Sequence, residues 1–491
     1  MKLKEIADLF MVKKTVGDMN VEFTGIQMDS RKIEKGNLFI CVPAIRGFLA
    51  DRHLYAEDAV RNGAIALIVE RDIDIDIPKI FVQDARHAMS VIASHFYSYP
   101  SNEMRLIGIT GTNGKTTTSY IIEKILADYG SKTGLMGNNG MKINNHLYPT
   151  DINTQEPPIL QRNLRKMRDC KTDYCVMEVT SQGLDMGRVL GCNFRTAVFT
   201  NLTQDHLDYH GTIEEYRKTK GLLFSRLGNT FLPEDKKYVV LNADDPSIEY
   251  FRKLTSTEVI TYGINNKSDV SAKNIIMSPR GIRFLLTSFI GEIEIRLNLV
   301  GKFNVYNALA GITSSLIEGI PLESIRNSLS DLKSIGGRME IIDEGQDFLV
   351  LVDYAHSPDA LENVLTTIKE FSNGKVITVF GCGGDRDVTK RPIMGEIANR
   401  YSDFVFVTSD NPRSEDPIII MKDIEKGMKS SSHYQLVVNR EEAIKKAINM
   451  ASSNDVVLIA GKGHETYQIL KDKTIHFDDK IIAKKTLLKK E

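Results

Sequence analysis

Residues 108–118 read G-I-T-G-T-N-G-K-T-T-T. The apolar run before them, RLIGIT (105–110), predicts a buried strand, and the run from about 115 to 129 predicts a helix. A glycine-rich turn from strand to helix lets backbone amides point at phosphate oxygens. Gly111 and Gly114 allow that close approach, and Lys115 supplies a point charge for β- and γ-phosphates. The Thr116 hydroxyl is placed to ligate Mg²⁺, and the helix N-terminus favours negative charge. Because position 109 is Ile, the strict G-x-x-x-x-G-K-[ST] pattern is replaced by T-G-T-N-G-K-T. A strand–helix turn without ligand is the bland alternative, and the Lys-Thr that follows Gly weighs against it.

Other groups fall beside this loop. Glu178 ends the apolar run DYCVMEV (173–179), and His206 and Asp208 lie just past RTAVFTNL (195–202). Strand ends next to a phosphate loop are where Mg²⁺ ligands belong, since Mg²⁺ takes oxygen ligands and keeps several waters. A single acidic strand end is equally readable as a solvated turn. Lys220 sits in EEYRKTKGLLF, a predicted helix, and by itself reads as a surface lysine.

The elements that must carry these groups follow from the rest of the chain. Its 491 residues suggest about three domains at ~150 residues each. A 42% hydrophobic and 26% charged composition is that of a folded globular protein. A net charge of -1 argues against a general nucleic-acid binder. The start, MKLKEIADLFMVKK, lacks the apolar core of a signal peptide, and no run is long enough for a membrane span. Five cysteines without a CxxC pair argue against disulfides and zinc, so a reducing cytoplasm is expected. The first 100 residues alternate short strands and helices. From 105 onward, strands alternate with helices as in a parallel sheet, and residues 268–300 read as a β-meander. Near 334 a third unit begins. FLVLVDYAH (348–356), KVITVFGCGGD (375–385), DFVFVTSDNPR (403–413) and DVVLIAGKGHE (455–465) each run from a strand into a polar loop. Ligands in open α/β sheets sit beyond the carboxyl ends of strands, so these four loops should share one binding rim.

The motifs GTNGKTT, NLTQDHLDYHG (201–211), YRKTK (216–220), GKFNVYNALA (301–310), GRME (337–340), DYAHSPDAL (353–361), GCGGDRD (381–387), DNPR (410–413) and GKGHE (461–465) stand in the order found in the Mur ligases. Over essentially its whole length the chain resembles that family. The resemblance implies an α/β protein of three domains: a UDP-sugar-binding unit at 1–101, a central P-loop ATPase with a parallel sheet at 102–333, and a Rossmann-like amino-acid-binding unit at 334–491. It implies ATP and Mg²⁺ as cofactors. Gly111, Thr112, Asn113, Gly114, Lys115, Thr116 and Thr117 would hold ATP, closed upon by Asn304, Arg338 and Asp353. Thr116, Glu178 and His206 would hold the metal, and Lys115, Lys220 and His206 would serve catalysis, with Lys220 as an N6-carboxylysine. Met28, Ser30, Asn153, Thr154, Thr180 and Arg188 would bind the acceptor, UDP-N-acetylmuramoyl-L-alanyl-D-glutamate. Arg386, Asp410, Asn411, Pro412, Arg413, Gly461 and Glu465 would bind meso-diaminopimelate. The enzyme expected is a cytoplasmic, monomeric ligase of peptidoglycan precursor synthesis.

Three stretches depart from the family pattern. A Thr-Thr pair before Pro-Glu is Asn153-Thr154-Gln155-Glu156 here, Ser-Ser-His-Gly-Leu is Thr180-Ser181-Gln182-Gly183-Leu184, and a frequent Gln is Met186. All lie where the acceptor should bind. The alternatives are the same chemistry with L-lysine or a variant acceptor, a folylpolyglutamate synthase-like ligase, and a nucleotide switch. MDSRK (28–32) and DNPR weigh against the synthase. A switch is discounted because a guanine-reading Asn-Lys-x-Asp run is taken to be absent and because the last rim looks built for a small zwitterion.

Overall fold

The computed structural model describes residues 1–45, 47–150, 152–228, 232–278, 281–332, 337, 339–428 and 433–490. Three sheets organise it. A five-stranded sheet occupies the first hundred residues, in the order Lys14–Val16, Lys79–Phe81, Ala64–Val69, Asn37–Ile40, Gly25–Gln27. All its pairings are parallel except that of Lys14–Val16.

The central sheet has eleven strands. Its heart is parallel: Tyr238–Asn242, Phe194–Phe199, Arg105–Thr110, Tyr174–Glu178 and Thr133–Gly137 lie side by side. The expected parallel sheet is this heart, and both of its edges are antiparallel. Gly140–Ile143 and His146–Tyr148 extend one edge antiparallel, and Gly281–Ser288 and Gly291–Leu297 extend the other. The cause is local. Asn144, at φ 51, closes a two-residue hairpin turn with Asn145, and such a turn can only join antiparallel strands. The meander expected at 268–300 is this second edge, continuous with the sheet through Val270–Ser278.

The last sheet runs Glu340–Ile342, Leu349–Asp353, Val456–Ala460, Val376–Phe380, Phe404–Thr408, Tyr434–Val437. VITVF and VVLIA are buried at every position, as strands covered by helices on both faces must be. The four anticipated strands are neighbours and parallel, so their carboxyl-end loops do form one rim. Helix Lys115–Asp128, which opens at the phosphate loop, is held by burial. Ile121, Ile122, Ile125 and Leu126 pack with Val305, Ala308, Leu309 and Ile312 of helix Lys302–Ile317 in one core. Each of the Ile, Leu and Val side chains among them contributes ~1.5–3 kcal/mol by leaving water. A Cβ at Gly311 would strike Ile121, which is how the two helices come so close. The phosphate loop therefore rests on a rigid base. The boundary expected between 333 and 334 lies outside the described residues.

Candidate active site

The phosphate loop closes one wall of a cavity of about 590 Å³ whose other walls come from the central strand ends and from residues 353–364. Gly111 (φ 152) and Gly114 (φ 86) hold conformations that side chains avoid, and a Cβ at either would collide with Thr200 or Asn307. The loop is tied down from the neighbouring strand end: Thr112 N donates to Asn201 O at 2.8 Å, and Thr200 Oγ1 donates to Asn113 O at 2.6 Å.

Two lysines converge on one oxygen. Lys115 Nζ donates to Gly111 O at 2.9 Å and to Thr112 O at 2.7 Å, while Lys220 Nζ donates to the same Gly111 O at 2.8 Å. Lys220 is 1% exposed, on helix Ile213–Ser225. Its reading as a surface lysine is thereby corrected: the side chain points inward and lies over the Tyr216 ring. Burial, and then the charge of Lys115, hold its ammonium well below the usual lysine range. A buried amine beside a second cation favours its neutral form.

Glu178 is 1% exposed at the end of its strand. Oε1 accepts from Thr116 Oγ1 at 2.8 Å and from Asn138 N at 3.0 Å, and Oε2 accepts from Asn153 Nδ2 at 3.1 Å. A hydroxyl and a carboxylate side by side at the phosphates are oxygen donors of the kind Mg²⁺ takes, with phosphate and water completing its shell, so the residues fit the ion. His206, at φ 52, lines the same cavity and pairs with Asp205 at 3.4 Å. The Asp208 side chain lies outside what is described.

The acceptor candidates join this centre through Thr154. Its Oγ1 donates to Glu178 O and accepts from Thr180 N and Oγ1. Arg188 donates to Thr154 O and to Glu156 Oε1, both at 2.9 Å, and its Nη2 lies 3.2 Å from Met186 Sδ. The substituted positions thus form one connected wall. Met28 packs into the N-terminal core, and Ser30 is buried. Their neighbours Gln27 and Lys32 border a separate cleft of about 470 Å³, with Tyr148 and Arg162 across it.

Asp353 lines the cavity and accepts from Met339 N and Ala355 N, each at 2.7 Å. Asn304 is turned away from the cavity, donating to Val300 O and accepting from Asn307 Nδ2. Arg338 lies outside the described residues. Two lining residues went unassigned in the sequence, although both stand in quoted motifs. Asn307 faces Gly114, and Asp359 accepts from Asn113 Nδ2 and from Thr203 Oγ1. Burial pushes the Asp359 carboxyl up.

The third-domain candidates gather on the predicted rim. Arg413 Nη1 donates to Gly384 O at 2.7 Å, Arg386 is exposed beside it, and Gly461 (φ 116) faces Asp410. Asp410 is 8% exposed, and its Oδ2 is buried with no hydrogen-bond partner among the described residues. Asn411 Nδ2 donates to Glu465 Oε2 at 2.9 Å. His464, in the same loop, reaches the central domain: its Nε2 is 3.5 Å from Asn138 Nδ2, and Asn138 is the residue whose amide meets Glu178.

One ground against a nucleotide switch fails. Asn266-Lys267-Ser268-Asp269 does spell the guanine-reading pattern. The structure commits it to a turn: Asp269 accepts from Thr261 N and Oγ1, and Asn266 binds Asp244 and Ala243 O. None of residues 266–269 lines the cavity.

Comparison with known proteins follows the same lines. The Mur ligase middle domain matches residues 109–315, and the Mur ligase glutamate ligase domain matches 337–463. The UDP-N-acetylmuramoyl-L-alanyl-D-glutamate--2,6-diaminopimelate ligase of Bacillus cereus is 46% identical over 99% of the chain and 98% of its own length. That of Geobacillus thermodenitrificans is 49% identical over 95% of each. A solved structure of a ligase of this name superposes with a TM-score of 0.70 at 32% identity, covering 100% of this chain and 99% of its own. Mycobacterium tuberculosis folylpolyglutamate synthase shares the fold at a TM-score of 0.63 and 17% identity, covering 76% of this chain and 92% of its own. Among the described residues no helix is long and apolar enough to cross a membrane.

Proposed function

The chain belongs to the Mur ligase family, and on that premise we propose that it joins meso-diaminopimelate to UDP-N-acetylmuramoyl-L-alanyl-D-glutamate at the expense of ATP. This is the amide-forming step that adds the third residue of the peptidoglycan stem peptide. One observation carries the reading beyond resemblance. Asn138 links Glu178, beside the phosphate loop, to His464 in the loop that bears Gly461 and Glu465. An amino acid held on the rim therefore lies next to the place where a carboxylate is phosphorylated.

The acceptor's D-glutamate carboxylate attacks the γ-phosphorus, and the β–γ bridging oxygen leaves with ADP. The resulting acyl phosphate is attacked by the neutral amine of diaminopimelate, which has shed a proton. The tetrahedral adduct expels phosphate and leaves the amide. Lys115 and the loop amides of 111–117 neutralise charge on the transferring phosphoryl group. Thr154, Thr180 and Arg188 orient the acceptor, a contribution of positioning. Arg386 and Arg413 hold the distal carboxylate of diaminopimelate, and Asp410 and Glu465 its distal ammonium. Thr116 and Glu178, with His206 at the cavity wall, are the residues that would hold Mg²⁺, whose charge, when it is bound, offsets that of the phosphates.

Lys220 is the natural site of carbamylation. Its neutral amine forms an N–C bond to CO₂ and releases one proton, so a lysine that would repel Lys115 across Gly111 O becomes a carboxylate that attracts it. The chain divides into units 1–101, 102–333 and 334–491, each built on one of the three sheets. The UDP-sugar and ATP substrates support a cytoplasmic location, and the protein is read as a monomer. The test is phosphate release. It should require ATP, the UDP-muramoyl dipeptide and diaminopimelate together. Release with ATP alone would make the protein a nucleotide hydrolase instead.

A further inference from the structure

Lys462 is a fully buried cation in the wall of the rim, and neither the phosphate chemistry nor the ligand contacts above use it. It follows Gly461 at the end of strand Val456–Ala460 and turns its side chain back under the loop. Nζ lies 2.7 Å from Glu465 Oε2 and 3.1 Å from Asn411 Oδ1. Asn411 closes the ring: its Nδ2 donates to the same Glu465 Oε2 at 2.9 Å, and its Oδ1 also accepts from Ile469 N at 2.9 Å. An ammonium and a backbone N–H can only donate, so together they fix which end of the Asn411 amide is oxygen. Glu465 Oε2 is then met by two donors, while Oε1 has none among the described residues. The other buried cation behind the rim is Arg440, whose charge also reaches Asp410 and Glu465 and whose Nη1 makes no hydrogen bond among the described residues. Arg440 is bound through two nitrogens to Asp479, at 2.8 and 2.7 Å, both side chains being fully buried.

From this ring we infer that Lys462 is a positioning residue for the amino-acid substrate: by pinning Glu465 through Oε2 it presents Oε1 to the distal ammonium and so sets the stereoselectivity of the rim. The inference rests on the proposed diaminopimelate reading. The distal carbon of diaminopimelate carries a carboxylate and an ammonium. With the carboxylate fixed on Arg413, one acceptor oxygen at one place accommodates one hand of that carbon. A Glu465 free to swing would accept either. Asp410 Oδ2, buried and without a hydrogen-bond partner among the described residues, lies 2.7 Å from where a Gly461 Cβ would stand and adds a second carboxylate oxygen to the rim.

The test compares meso- and LL-diaminopimelate with the wild type, Lys462→Met, Glu465→Gln and the double variant. In Lys462→Met the KM for meso-diaminopimelate should rise ~10–100-fold, as expected when a buried charge-assisted bond to the binding carboxylate is lost, with KM for ATP and acceptor within about twofold of wild type. The preference for meso over LL should fall by about tenfold or more, and in the Glu465→Gln background Lys462→Met should add less than about threefold, because it acts through that carboxylate. If Lys462→Met does not fold, Lys462→Gln, which keeps a neutral donor, is read in its place and should show a smaller loss of the same kind. Unchanged diaminopimelate kinetics, losses that multiply across the double variant, or an equal rise in all three KM values would each overturn the inference and leave Lys462 a structural ion pair. A wild type that does not use diaminopimelate overturns the functional reading, and this inference with it.

Discussion

The phosphate loop and the amino-acid rim both stand at the carboxyl ends of parallel strands, yet they are built differently. The loop is one continuous segment whose working atoms are backbone amides and carbonyls, held by Gly111, Gly114 and the strand end at Thr200–Asn201. The rim is made of side chains from three separated segments, 383–386, 410–413 and 461–465, and its shape depends on buried pairs such as Lys462 with Glu465. A triphosphate needs only donors and charge, which a backbone supplies to any nucleotide. A zwitterion with two ends must be met by specific side chains at specific distances. Generality resides in the loop and selectivity in the rim.

That contrast sets how each region should break. Lys115→Ala should lower turnover ~10³-fold or more with every amino acid tested, since the transferring phosphoryl group loses its charge partner. Near-normal ligation by this variant in a steady-state phosphate assay would remove the loop from the chemistry. Lys220→Ala should be nearly inactive and partly restored by a small added carboxylate, and intact mass in bicarbonate should show the carbamate on the wild type. A fully active Lys220→Ala enzyme would reduce the residue to a packing role.

Arg413→Ala should act on one substrate. A guanidinium fork matched to a carboxylate discriminates ~10³-fold against an analogue that lacks the group, because the charge is then desolvated by the ligand without being paired. The variant should lose diaminopimelate kcat/KM by roughly that factor while the KM for ATP is unchanged. An equal loss toward ATP would merge the two regions.

The smallest effect concerns stability. With Lys220 uncarbamylated, its folded pKa lies below its unfolded one, so the unfolded chain binds more protons and stability rises with pH toward the ordinary lysine value. In CO₂-free buffer, Lys220→Met should melt higher than wild type near neutrality, and the gap should close as pH is raised. A gap independent of pH would mean that the amine is not held neutral.

The two regions also differ in how far the sequence exposed them. The loop was legible because its residues are contiguous and each glycine has a backbone reason to be there. The rim's location followed from four strand–loop transitions that proved to be neighbours. What stayed hidden was contact made across the fold. Lys220 looked like an exposed helix residue, since nothing local says that its face is covered. Asn304 and Asn307 share one helix start, and only packing shows that Asn307 reaches the loop while Asn304 holds Val300 O. Asn266–Asp269 shows the reverse error, a run whose pattern suggests base recognition and whose bonds make a turn.

The most direct test of the division is the wild type's kcat/KM for meso-diaminopimelate against L-lysine, with ATP and UDP-N-acetylmuramoyl-L-alanyl-D-glutamate saturating. Lysine lacks the distal carboxylate that Arg413 and Arg386 are proposed to hold. The account predicts a preference for diaminopimelate of ~10³-fold or more. Equal use of the two amino acids would contradict it.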